Sequence, residues 1–218
     1  MKMKQISIVA ATLVGALVTA NAAVTVLTFE GVGDFNPVGN FYNGGGGGNL
    51  GIVFSQNALA IVDADAGGGG NFGGEPSPST ILFFLGGGAA TLNNAAGFTT
   101  GFSFYYSAIS NPGFINVFDG LNATGNLLAT LQLPVTPSNG GDPNGAFSPF
   151  FPTGVSFSGT AMSVDFGGTA NQIGFDDVTF GTDNPISAIP EPGSLVGLGC
   201  VLATGLGFRS RRQRPLSA

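Results

Sequence analysis

The chain has 218 residues, of which 8% are charged, with 38 glycines, 20 phenylalanines, no histidine, no tryptophan and a formal net charge of −6. All six basic residues sit near the ends, and residues 23–189 hold every one of the 12 acids except Glu191, with no Lys, Arg or His among them. That stretch therefore has no cationic side chain to complete an ion pair and no cationic grip on phosphate or nucleic acid, and serine–histidine, cysteine–histidine and lysine Schiff-base catalysis and histidine or cysteine zinc sites cannot be built from it.

Lys2 and Lys4 precede an apolar run over 6–18, and Ala20-Asn21-Ala22 follows as a small-residue cleavage site. This order predicts a signal peptide over 1–22, with cleavage specified by Ala20 and Ala22 and a mature chain starting at Ala23. Alternating apolar and polar residues then predict short strands over 24–30, 50–54 and 58–62. The continuous apolar run 81–85 reads as a buried strand. Phe98, Phe102, Phe104 and Tyr106 share one face of a long strand, with Thr99, Gly101, Ser103 and Tyr105 on the other. Further strands are expected over 114–118, 127–133, 162–166 and 173–180. No segment between residues 24 and 189 shows a 3.6-residue period, and the folded body is expected over 23–181.

Short strands separated by turns predict an all-β domain of two antiparallel sheets packed face to face, a jelly-roll-like β-sandwich. An N-terminal signal helix and a C-terminal single membrane helix lie outside it. Phe98, Phe102, Phe104, Leu131, Val164, Phe166 and Phe175 are the expected core. The glycine tracts 44–48, 67–70 and 86–88 lack the lysine and following helix of a phosphate loop, and read as flexible surface loops. Residues 134–152 read as another long loop, and Asn122-Ala123-Thr124 as a turn.

Near the end of the body the apolar parity changes: Ile173 and Phe175 are odd, Val178 and Phe180 even. One continuous strand cannot bury both sets on one face, so a bulge is expected near Asp176-Asp177. If this strand pairs beside the first, Glu30 and Asp34 approach Asp176. Carboxylates with no cation nearby select a hard ion, and calcium is the ion such a set would take. Asp63 and Asp65, followed by glycines, form a thinner candidate. The same acids could instead be solvated strand ends. Tyr42, Tyr105 and Tyr106 are the only polar aromatic surface offered to a sugar. These features leave three readings: a non-catalytic exported protein with no cofactor, a calcium-dependent carbohydrate-binding module, and a carboxylate glycoside hydrolase in which two acids flank the sugar bond. The expectation is the first.

Residues 182–189 read as a linker. Pro190-Glu191-Pro192 follows, then an uncharged run over 193–208, then Arg209, Arg211, Arg212 and Arg214. The run falls just short of the roughly 17 residues that cross a bilayer, and the arginines hold its end in the cytoplasm. Over 190–218 the chain resembles the PEP-CTERM sorting signal of Gram-negative bacteria, with Gly193 standing between the motif and Ser194. The resemblance implies an exosortase partner that cleaves near Pro190-Glu191-Pro192, transient lodging in the inner membrane, and delivery to the cell surface or exopolysaccharide matrix. The phrases Leu27-Thr28-Phe29-Glu30 and Asn171 through Phe180 resemble the first and last strands of exported β-sandwich proteins of that family. The lone Cys200 sits in the membrane run as an apolar filler.

Overall fold

The computed structural model describes residues 24–86, 90–138 and 145–187. The signal segment with Ala20 and Ala22, the sorting motif Pro190, Glu191 and Pro192, the membrane run with Cys200, and Arg209, Arg211, Arg212 and Arg214 lie outside the described residues, as do both expected terminal helices.

The described residues form strands and no helix: β1 (Thr25–Leu27), β2 (Asn43–Gly45), β3 (Gly48–Asn49), β4 (Ile52–Phe54), β5 (Leu59–Val62), β6 (Thr80–Phe83), β7 (Ala90–Phe98), β8 (Gly101–Ser107), β9 (Gly113–Phe118), β10 (Leu127–Leu133), β11 (Phe151–Ser156), β12 (Ala161–Gly168) and β13 (Gly174–Phe180). One sheet runs β11-β8-β13-β6-β5, with β1 also paired to β13; a second runs β10-β9-β12-β7-β4; β2 and β3 make a small ribbon. Every pairing between these strands is antiparallel. The domain is all-β, and its sheets are compatible with a β-sandwich.

The two large sheets share one hydrophobic core. Phe102, Phe104, Phe175 and Val178 enter it from the first sheet, and Leu92, Ile115, Val117, Val164 and Phe166 from the second, all fully buried. The rings interlock edge to face across the sheets: Phe166 lies 5.0 Å from Phe175 and 5.9 Å from Phe102. A second, smaller core covers the β5–β6 part of the first sheet, where Ile61, Ile81 and Phe83 pack under Phe72 and Phe150. Of the expected core, only Leu131 is left partly buried, because β10 is an edge strand.

Several expectations change. The long strand through Phe98 and Tyr106 is two strands. The chain turns at Thr99-Thr100, where Thr100 takes φ +81°, and passes from the second sheet into the first. Phe98 and Phe102 nevertheless stay in one core, their rings 6.0 Å apart. The tract 44–48 is no flexible loop. It builds the β2–β3 ribbon over Phe41 and Tyr42, and a Cβ at Gly47 would lie 2.6 Å from the Tyr42 ring. The tract 67–70 is also tied down, since Asp63 and Gly70 form a bridge. The 134–152 loop ends early, because Phe151 opens β11. Residues 182–187 touch the first sheet at two points: Ser103 Oγ donates to Thr182 O at 2.9 Å, and Ser187 Oγ donates to Tyr105 Oη at 3.0 Å.

Candidate functional site

The strand on which the first sheet turns is β13, and Asp176 and Asp177 sit at its middle. One flank pairs with β8. The other is shared, with Phe175 opposite Leu82 of β6 and then Val178 opposite Leu27 of β1. The change of partner falls on the two aspartates. There β13 carries an extra residue relative to β8, between Asp176 and Thr179, and Asp177 takes φ +46°. This is the bulge expected from the parity change. It lets Phe175 and Val178 both enter the core.

A strand that changes neighbours leaves backbone groups without ladder partners, and carboxylates fill the gap. Both aspartates are fully buried. The Asp176 carboxylate accepts from Ser77 N at 2.9 Å, from Ser77 Oγ at 2.7 and 2.8 Å, and from Asp177 N at 2.7 Å. Glu30, three residues past β1, reaches to the start of β6. It accepts from Ser79 N at 3.0 Å, Thr80 N at 2.7 Å, Thr80 Oγ1 at 3.1 Å and Ser79 Oγ at 3.3 Å. The segment Glu75-Pro76-Ser77-Pro78-Ser79-Thr80 explains the need. Prolines at 76 and 78 donate nothing, so from Pro76 to Thr80 the N–H groups of Ser77, Ser79 and Thr80 are the backbone donors, and the two acids take all three.

Tyr42 closes the group. Its hydroxyl accepts from Phe29 N at 2.7 Å. Burial pushes the phenol well above its ordinary value; the Phe29 N–H opposes this, and the carboxylates of Asp176, Glu30 and Asp177 add to the rise. Asp176 is also held well above the usual carboxylate range, first by burial and then by Asp177 beside it, against the lowering effect of the Ser77 donors. A raised value means that Asp176 keeps its proton at a pH where an exposed aspartate has lost it. Protonated, it can donate to Ser77 Oγ, which itself reaches Thr28 O at 3.3 Å.

Of the sequence-derived ligand set, Glu30 and Asp176 both act on the Tyr42 phenol, while Asp34 is engaged at the end of β5. Asp176 holds Ser77, Glu30 holds β6, and the exposed Asp34 accepts from Val62 N at 2.9 Å at the end of β5. Asp63 is buried and accepts from Ala64 N, while Asp65 is exposed. Among the described residues no group of three or more acids is placed to hold a metal ion. The tyrosine surface is not assembled either. Tyr42 and Tyr106 are buried, and Tyr106 Oη donates to Pro134 O at 3.1 Å. The partners that sequence reasoning missed are Ser77, Ser79 and Thr80. Their signal was there in the alternation of proline with hydroxyl residues.

A second polar cluster frames the 119–126 loop. Asp119 accepts from Asn126 N at 2.6 Å and Asn126 Nδ2 at 2.7 Å, bonds that hold its carboxyl below the usual range. Asn122 and Ala123 take positive φ, so the 122–124 segment is a turn, as its residues suggested.

No family model matches the chain, and no curated protein does. Among solved structures, it is similar to the K1 cleaved adhesin domain of Lys-gingipain from Porphyromonas gingivalis W83, at 13% identity and a TM-score of 0.35 over 59% of this chain and 96% of that one. A likeness at that level carries no argument about fold or function.

Proposed function

We propose that this is an exported, non-catalytic protein of the cell surface or exopolysaccharide matrix, built as a jelly-roll-like sandwich and delivered by a C-terminal signal that an exosortase removes. The observation that carries the reading is the order of the tail: Pro190-Glu191-Pro192, an uncharged run, then four arginines. The confinement of every other basic residue to Lys2 and Lys4 supports it, because export and tail removal would then leave a body with no positive side chain. The run suits a temporary anchor. It carries Gly193, Gly197, Gly199, Gly205 and Gly207, each costing helix stability by about 1 kcal/mol relative to alanine. Proline on both sides of Glu191 disfavours helix there, which suits a site that a protease must bind. The non-catalytic reading is supported by composition, since residues 23–189 hold no histidine, lysine or cysteine. The test is the intact mass of the mature protein from its own host. A chain that ends near residues 190–192, with any attached group added, supports the proposal. Recovery of the chain through Ala218 from cells with an active exosortase overturns it.

A further inference from the structure

Strand β7 breaks its own pattern. Ala90, Leu92 and Phe98 are buried at even positions, and the even positions between them are Asn94 and Ala96. Between Asn93 and Phe98 the register of β7 against β12 shifts, and Gly97 takes φ +75°, so the strand leaves its ladder where Asn94 and Ala96 stand. The consequence is an open cleft of about 360 Å³ at one end of the two sheets, within the usual range of about 300–1,000 Å³ for small-molecule sites. Two paired positions frame it, Thr25 opposite Phe180 in one sheet and Ile52 opposite Asn94 in the other. Phe98 and Phe180, edge to face at 4.9 Å, form the apolar floor. Thr160, before β12, completes the polar rim.

We infer that this cleft binds an uncharged sugar. The lining carries no charged side chain, so a cation finds no carboxylate there. An anionic ligand meets a body of eleven acids and no cation, which repels it at a distance. What the lining does offer is an apolar floor with a rim of hydroxyl and amide groups. That mixture matches a sugar ring, whose C–H face is apolar and whose edge is all hydroxyl. Asn94 Oδ1 accepts from Ala96 N at 3.1 Å, and its amide N–H groups remain to donate. The side chains of Thr25 and Thr160 stand with it on the lining. Polar groups that converge on a cleft are the part of a binding site that sets orientation. This inference rests on the proposed exported, matrix-facing role and names the ligand class for it.

The experiment is amide NMR of the chain as exported, titrated with methyl glycosides of glucose, galactose and mannose, with N-acetylglucosamine, and with glucuronate. At least one neutral sugar should saturably move the amides of Gly97, Thr160 and Gly181. Asn94→Ala and Ala96→Trp should each weaken that binding about tenfold or more, equivalent to about 1.4 kcal/mol. Ala96 is exposed, so the tryptophan fills the cleft without entering the core, and an otherwise unchanged spectrum shows that the variant folds. Absence of saturable shifts with all the neutral sugars would overturn the inference. So would equal binding of glucuronate, or undiminished affinity in Ala96→Trp. The intact mass of the same sample reports tail removal separately, so failure of the sugar site and failure of the export proposal are told apart.

Discussion

At the scale of one residue, Asp176 concentrates the chemistry of the fold. It is a buried acid whose oxygens satisfy Ser77 N, Ser77 Oγ and Asp177 N. Asp176→Ala strands the Ser77 and Asp177 N–H groups out of reach of water and should cost about 1–3 kcal/mol for each one left unsatisfied. The loss should depend on pH in a definite direction. The folded-state value of Asp176 lies above the ordinary 3.8. Its contribution is therefore fully present below that ordinary value and is lost as pH rises through the folded value. Urea unfolding from about pH 4 to about pH 8 should show the gap between wild type and Asp176→Ala widest in acid and narrowing upward. A gap that widens with pH would mean that the carboxylate is ionised in the folded protein. Phe104 is the apolar counterpart. It is fully buried and its ring lies 5.5 Å from Phe175 and 6.4 Å from Phe166. Phe104→Ala should cost about 3–5 kcal/mol, measured as the shift in unfolding free energy.

At the scale of the element, the event that matters is the change of neighbour along β13. Glu30 makes it workable by standing in for ladder acceptors at the start of β6. Glu30→Ala should therefore loosen one place, and hydrogen exchange at the Ser79 and Thr80 amides should speed up well before exchange at β8 or β12. The global cost should be about 1.5–3 kcal/mol, the worth of hydrogen bonds to a charged acceptor. Unchanged exchange at those two amides would show that other acceptors hold β6. The same strand shows what could be read in advance. The bulge at Asp176-Asp177 was legible because a period of two cannot absorb a switch of parity. The pairing of the first strand with the last was legible as a condition, and it holds through Thr25 opposite Phe180. What the acids bind was not legible. Glu30 and Ser79 lie 49 residues apart in sequence, and no local period reports such a contact. The split between β7 and β8 was hidden because Phe98 and Phe102 keep the same parity through a turn whose residues, Thr99 and Thr100, are favourable in strands. β7 was missed since Asn94 and Ala96 interrupt its alternation, and those two residues line the cleft.

At the scale of the whole molecule, charge is the unusual feature. The described residues bring two sheets into one core while carrying only acids, so no attraction between opposite side-chain charges offsets their mutual repulsion. Folding concentrates that repulsion, because the compact state holds the acids closer than the unfolded chain does. Salt should then stabilise the exported body. Raising sodium chloride from about 0.01 M to about 0.15 M shortens the screening length from about 30 Å to about 8 Å. The melting midpoint should rise, by about 2–4 °C for each kcal/mol of repulsion relieved in a domain of this size. Calcium chloride adjusted to the same ionic strength separates general screening from a bound ion. Binding at Glu30, Asp34 and Asp176 would have to draw together carboxylates that now face the N–H groups of Ser77, Thr80 and Val62, and among the described residues no three acids are placed to hold an ion. Calcium should therefore add only the modest extra screening of a divalent ion, and Asp176→Asn should leave that increment unchanged. A large calcium-specific rise that Asp176→Asn abolishes would show the acids regrouping around the ion. The hydrogen bonds described at the β13 bulge would then belong to the ion-free form alone.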